Sequence, residues 1–169
     1  GEPLVLAGGA RVIGGVWGSS MTLTGPNVEF VSSPIIFGNI GGSGGIAFLG
    51  NSDTLTLWGA NTYSGSNRIT AGTFMVNGPQ PVSEVYVETP GVLGGQGVTG
   101  PVTCPSGQIR PGTNAPGILY CRDLNLGPSG TLVIEVQDRF GAYYDQLRVS
   151  GTVSLGNGLL TLSNVYSAI

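Results

Sequence analysis

The sequence contains no histidine and no lysine, and all six of its basic residues are arginine. Without imidazole it supplies neither a Ser-His-Asp nor a Cys-His catalytic set, nor any His-ligated metal site. Charge of either sign is scarce, at 9% of residues, and the net charge is -3 with a pI near 4.6. That balance excludes nucleic acid as a partner, because its binding depends on clustered basic residues. Long apolar runs are missing as well, so no membrane insertion by this segment is expected. Helical periodicity is also lacking: no ten-residue window has apolar residues at i, i+3, i+4 and i+7 without an internal Gly or Pro. The two cysteines cannot make a structural zinc site by themselves, and no cofactor is expected. The sequence opens at Gly1 without a signal peptide, as expected of a mature chain or a fragment.

Glycine and apolar residues are what the sequence has in quantity. Gly 31 and Pro 11 together make about a quarter of the 169 residues. Disorder is nevertheless excluded, because 40% of residues are hydrophobic and the mean hydropathy is positive. Glycines separate short alternating runs that read as strands: Leu4-Val5-Leu6, Met21-Thr22-Leu23-Thr24, Leu55-Thr56-Leu57-Trp58, Thr73-Phe74-Met75-Val76, Val85-Tyr86-Val87, Leu132 to Val136, Leu147-Arg148-Val149 and Leu159 to Leu162. Two patterns recur. Met21 to Asn27 matches Leu55 to Asn61 in residue type, and small-Gly-Thr-apolar begins at Ala71, Ser129 and Ser150. The last two copies start 21 positions apart, about one turn of a parallel β-helix. The expected fold is all-β: a right-handed single-stranded parallel β-helix of roughly seven turns, with about 21–25 residues per turn and a length of roughly 30–35 Å. The alternative is an antiparallel β-sandwich, which also uses short strands and Gly-rich turns.

Residues 40–78, with Leu55, Thr56, Leu57, Gly59, Ala60, Asn61, Thr62, Tyr63, Gly65, Ile69, Ala71, Gly72 and Thr73 at the matching places, resemble the autotransporter-associated β-strand repeat. The stretch from Val92 to Leu162 is similar to the region that commonly succeeds such repeats in passenger domains, through Leu93-Gly94-Gly95-Gln96-Gly97, Pro111 to Leu119 and Tyr144 to Gly151. The resemblance implies a right-handed parallel β-helix in a bacterial surface or secreted protein. Trp58 departs from the small polar residue of the pattern, two cysteines are present, and the first 35 residues match weakly. One β-helix segment of a longer protein is expected over 1–169: N-terminal turns at 1–39, the repeat at 40–78 and C-terminal turns at 79–169. The rest of the polypeptide is expected to continue the helix.

Several side chains invite a chemical reading. Cys104 and Cys121 each end a short strand 17 positions apart, and neighbouring turns would bring them within disulfide range. An acid pair for glycoside cleavage needs two carboxylates on one groove. Glu84 and Glu88 share a face only if their strand continues, and Glu135 and Asp138 alternate to opposite faces. Arg110 or Arg122 would be the base of a lyase-like site. Gly41 to Gly45 and Gly94 to Gly97 lack the Lys-Ser/Thr and helix of a phosphate loop, so they read as turns. Inward Leu55 and Leu57 put Trp58 outward, where it and Tyr63 are the candidate contacts for a sugar or protein partner. Asn27 and Asn61 are expected at equivalent corners, making local turn hydrogen bonds.

These readings converge on a non-catalytic surface or secreted β-helix acting in display or adhesion. Its partner would be a host-surface glycan or protein, and its place the bacterial outer surface or the medium. A carbohydrate-binding or polysaccharide-cleaving β-helix is the alternative, and a phage tail-fibre segment, marked by a stable trimer, is a further one.

Overall fold

A three- to six-residue strand bounded by glycine cannot bury its apolar side alone; it needs a neighbour above and below. The computed structural model, which describes residues 3–112, 115–137 and 143–164, shows this solution. Among the described residues there is no helix, and all pairing between strands is parallel. Antiparallel contact is confined to the isolated bridges Gly95 with Gly112 and Val136 with Tyr144. The chain is therefore a parallel β-helix of about seven turns, and the sandwich is excluded. All eight runs read as strands in the sequence coincide with strands, except that Thr24 and Trp58 fall one residue past the ends of theirs.

Each turn has three faces. The first is built by Leu4–Leu6, Met21–Leu23 and Ile40–Gly42, then by Pro79–Gln80, Val98–Thr99, Ile118–Cys121 and Gln146–Val149. Its two parts are joined by non-strand backbone, where Thr62 and Ser64 donate to the carbonyls of Ile40 and Gly42, and Asn61 donates to that of Pro79. The second face starts at Arg11–Ile13 and ends at Val153–Ser154; the third starts at Val16–Trp17 and ends at Leu159–Asn164. Ile46–Leu57 and Asn67–Val76 each cross from the second face into the third, with register shifts beside Leu49. At that bend Gly72 has φ +72°, and a Cβ there would strike the Gly50 carbonyl oxygen.

Inside, side chains stack in columns. Val12, Phe30, Phe48, Ile69 and Val87 succeed one another on the second face, and Leu55, Phe74, Leu93 and Ile109 on the third. All are buried in one continuous core. Phe48 and Phe74 meet edge to face across the two faces, with ring centroids 6.3 Å apart. Each such side chain contributes roughly 1.5–3 kcal/mol of burial.

The turns are less even than the repeats suggest. Hydrogen bonds between successive turns join residues from 16 to 29 positions apart, not 21–25. The reason is that strand register repeats strictly while corner length does not. The apparent repeats therefore do not superpose: Met21–Leu23 lies on the first face, whereas Leu55 to Leu57 lie on the third. Likewise Thr131 pairs with Leu159 on the third face, whereas Val153, after the Ser150 copy, pairs with Leu124 on the second. Small-Gly-Thr marks the exit from a corner, whichever corner it is.

Candidate functional site

Strand alternation decides what the third face shows to solvent. In Ile46–Leu57, Leu55 and Leu57 are fully buried, so Thr54 and Thr56 point outward and Trp58 continues their row with 49% of its surface exposed. One rung below, buried Ile36 pairs with Leu57 and is followed by Phe37, 54% exposed. The Phe37 and Trp58 rings lie nearly parallel, 13° apart with centroids separated by 6.2 Å. One rung above, Val76 pairs with Leu57, which sets Asn77 over Trp58. Trp58 is thus outward as expected, but its aromatic neighbour is Phe37 rather than Tyr63. The signal was a spacing: Phe37 precedes Trp58 by one local turn, the same 21 positions that separate the bonded pairs Asn39–Ala60 and Ile40–Asn61.

Above this pair the same face carries a groove of about 530 Å³, lined by Thr54, Thr56, Thr73, Met75 and Asn77 on one side and by Arg110, Glu135 and Asp145 on the other. Its floor steps from Thr56 to Met75 to Gly94 to Arg110 through paired strands. Gly94 leaves the floor low because Met75 Sδ lies 2.7 Å, and the Arg110 carbonyl oxygen 3.0 Å, from where its Cβ would be. Asp145 is 5% exposed; its Oδ1 accepts from Gly117 N–H and its Oδ2 from Glu135 N–H, both at 2.9 Å. Burial pushes its carboxyl above the ordinary range, and the Glu135 charge adds to the rise, while the two backbone donors and Arg110 oppose it. Glu135 Oε1 accepts from Gln137 Nε2 at 2.7 Å. Among the described residues Arg110 has no ion-pair or hydrogen-bond partner for its guanidinium. The sequence had named Glu135 and Arg110 separately; their meeting with Asp145 depends on a turn whose length no motif encodes.

The other candidates are placed differently. Tyr63 is fully buried, which removes it as a surface contact. Its hydroxyl donates to Asn67 Oδ1 at 2.6 Å and lies 3.0 Å from the Gln80 amide, while Ser83 Oγ donates to its carbonyl at 2.6 Å. A phenol has one proton, so it serves only one of the two amide oxygens that face it, Asn67 Oδ1 and Gln80 Oε1, and among the described residues the buried Gln80 Nε2 has no partner. Burial drives the Tyr63 pKa well above its usual value, keeping the phenol neutral. Asn61 is also buried, and its Oδ1 accepts from Ile40 N–H at 2.9 Å, a bond between turns rather than a local one. Asn27 does turn a corner, at φ +57°. Asn61, Tyr63, Asn67, Gln80 and Ser83 together brace the coil where the first face has no strand.

The expected disulfide is not formed. Cys104 and Cys121 are both free and buried. Their 17-residue separation is less than the local turn, so they occupy different faces: Cys104 pairs with Leu126 on the second and Cys121 with Val149 on the first. Burial raises both thiol pKa values, that of Cys121 to about 11. Arg122 binds Asp123 at 2.9 Å, and Arg68 binds Glu88 at 2.8 Å. Glu84 accepts from Thr103 Oγ1 at 3.4 Å. Glu84 and Glu88 therefore do not meet as a pair, and Asp138 lies outside the described residues. Among the described residues no group of three or more His, Cys, Asp or Glu could hold a metal ion, and no helix is long and apolar enough to cross a membrane.

The fold and this surface define the chain as a parallel β-helix with a mixed polar and aromatic strip along one face. No protein-family model matches it. Over 101 residues, 59% of this chain, it is 32% identical to an extracellular serine protease of Serratia marcescens. The matched stretch is 10% of that protein's length.

Proposed function

We propose that the chain is a non-catalytic β-helical stalk or passenger segment of an exported bacterial protein, acting in display or adhesion at the cell surface. The observation that carries this reading is the parallel coil, in which each turn extends a rod and covers the edge of the last. Similarity to a secreted protease over a tenth of that protein's length fits a scaffold portion of a larger exported chain, as does the resemblance of residues 40–78 to the autotransporter-associated repeat. A structural role is further supported by Asp145, the buried acid of the groove, whose two oxygens are committed to backbone donors. Fused ahead of an outer-membrane barrel and expressed in a Gram-negative cell, the chain is expected to react with antibody added to intact cells. Retention inside the cell, with the barrel itself inserted, would refute the reading.

A further inference from the structure

The strip on the third face combines three features that single-purpose scaffold surfaces do not need together. Phe37 and Trp58 present apolar ring surface half open to solvent. Next to them, Thr54, Thr56, Thr73 and Asn77 offer hydroxyl and amide groups along successive rungs. At the far end Arg110 supplies five N–H donors and Glu135 a carboxylate acceptor. From the Trp58 rung to the Arg110 rung is three strand spacings, about 14 Å along the rod. A ligand matched to all three features has an apolar face, many hydroxyls that both donate and accept, and extended length.

We propose that this strip binds a neutral oligosaccharide laid along the rod axis. One sugar ring rests its C–H face against Trp58 and Phe37, and later rings hydrogen-bond to the threonines, Arg110 and Glu135. The charge of the groove selects neutral over acidic chains: among the described residues that line it, Arg110 is outnumbered by Glu135 and Asp145, so a polyuronate would meet net repulsion. Strand topology selects a glycan over a peptide. An extended peptide gains affinity by pairing with a free sheet edge, but the strands flooring this groove are paired both above and below. The proposal does not rest on the stalk reading, since the site lies wholly within this chain and binding is independent of export.

The test uses the full 169-residue chain with Trp17→Phe, so that Trp58 alone reports by fluorescence. It is titrated with cellohexaose, maltohexaose and laminarihexaose, with polygalacturonate and an extended apolar decapeptide alongside. At least one neutral hexasaccharide is expected to shift Trp58 emission saturably. By calorimetry, Trp58→Ala and Arg110→Ala should each weaken that binding about tenfold or more, equivalent to ~1.4 kcal/mol. Both side chains are exposed, and unchanged circular dichroism confirms that the variants fold. The proposal fails if no neutral hexasaccharide binds up to about 10 mM, a range that covers affinities as weak as ~3 kcal/mol. It also fails if either substitution leaves binding intact, or if the polyuronate or the peptide is preferred.

Discussion

The Tyr63 phenol is enclosed on every side, and its polar atoms are met by Asn67, Gln80 and Ser83 rather than by water. A buried hydroxyl matters less for the bond it makes than for the partners it would leave unpaired. Tyr63→Phe keeps the ring that fills the core but strands the Asn67 and Gln80 amides. The expected loss is roughly 1–3 kcal/mol, seen as a lower denaturant midpoint with an unchanged slope, and surface binding at Trp58 should be unaffected. A ligand-contacting tyrosine would give the opposite pattern. The Gly-Ala-Asn-Thr-Tyr stretch, whose tyrosine was a candidate contact as an aromatic neighbour of Trp58, thus uses its asparagine and tyrosine to hold the interior together.

At the level of the strand and its corner, the long late turns need side chains to close what the backbone leaves open. Asp123 does this for the approach to Val153–Ser154: its Oδ1 accepts from both the backbone N–H and the hydroxyl of Thr152 at 2.9 Å, and its Oδ2 meets Arg122. The Thr152 backbone donor is the chief reason its pKa falls to about 2, with Arg122 and the Thr152 hydroxyl adding to the effect. Because the folded-state value lies below the unfolded one of 3.8, the carboxylate stabilises the fold fully above that pH. Its contribution disappears as pH falls toward 2. Asp145 runs the other way, since its raised pKa makes ionisation less favourable in the folded state, so its contribution declines as pH rises from 3.8 through its folded-state value. The melting temperature of Asp123→Asn should therefore lie furthest below wild type above pH 3.8, with the gap closing toward pH 2. A gap constant across that window would mean that the corner is held by packing instead.

Among the described residues, the stack has interior rungs that are covered and end rungs that are not. Leu160 and Leu162 continue the third-face stack after Leu132 and Ile134, yet they are 60% and 68% exposed. At the other end Leu4, which pairs with buried Met21 on the first face, is 40% exposed. Apolar side chains on an unpaired parallel edge form a template for another strand. The chain by itself is expected to associate as its concentration rises, measured by sedimentation velocity. Substituting lysine for both Leu160 and Leu162 should abolish that association while leaving circular dichroism unchanged. Association that persists in the double variant would place the contact elsewhere on the rod.

The fold was largely legible because its determinants are local. Glycine at corners, alternation such as Leu55-Thr56-Leu57, and the lack of helical periodicity dictate short strands, and such strands reach burial by stacking. The outward direction of Trp58 followed from the same alternation. The neighbours around the coil were not legible, because they depend on the length of each turn, which varies with its corners. That length put Phe37 under Trp58, sent Cys104 and Cys121 to different faces, enclosed Tyr63, and brought Arg110, Glu135 and Asp145 to one groove. Strand formation is written in neighbouring residues; which strand lies above which is decided only when the coil closes and its core side chains find their register.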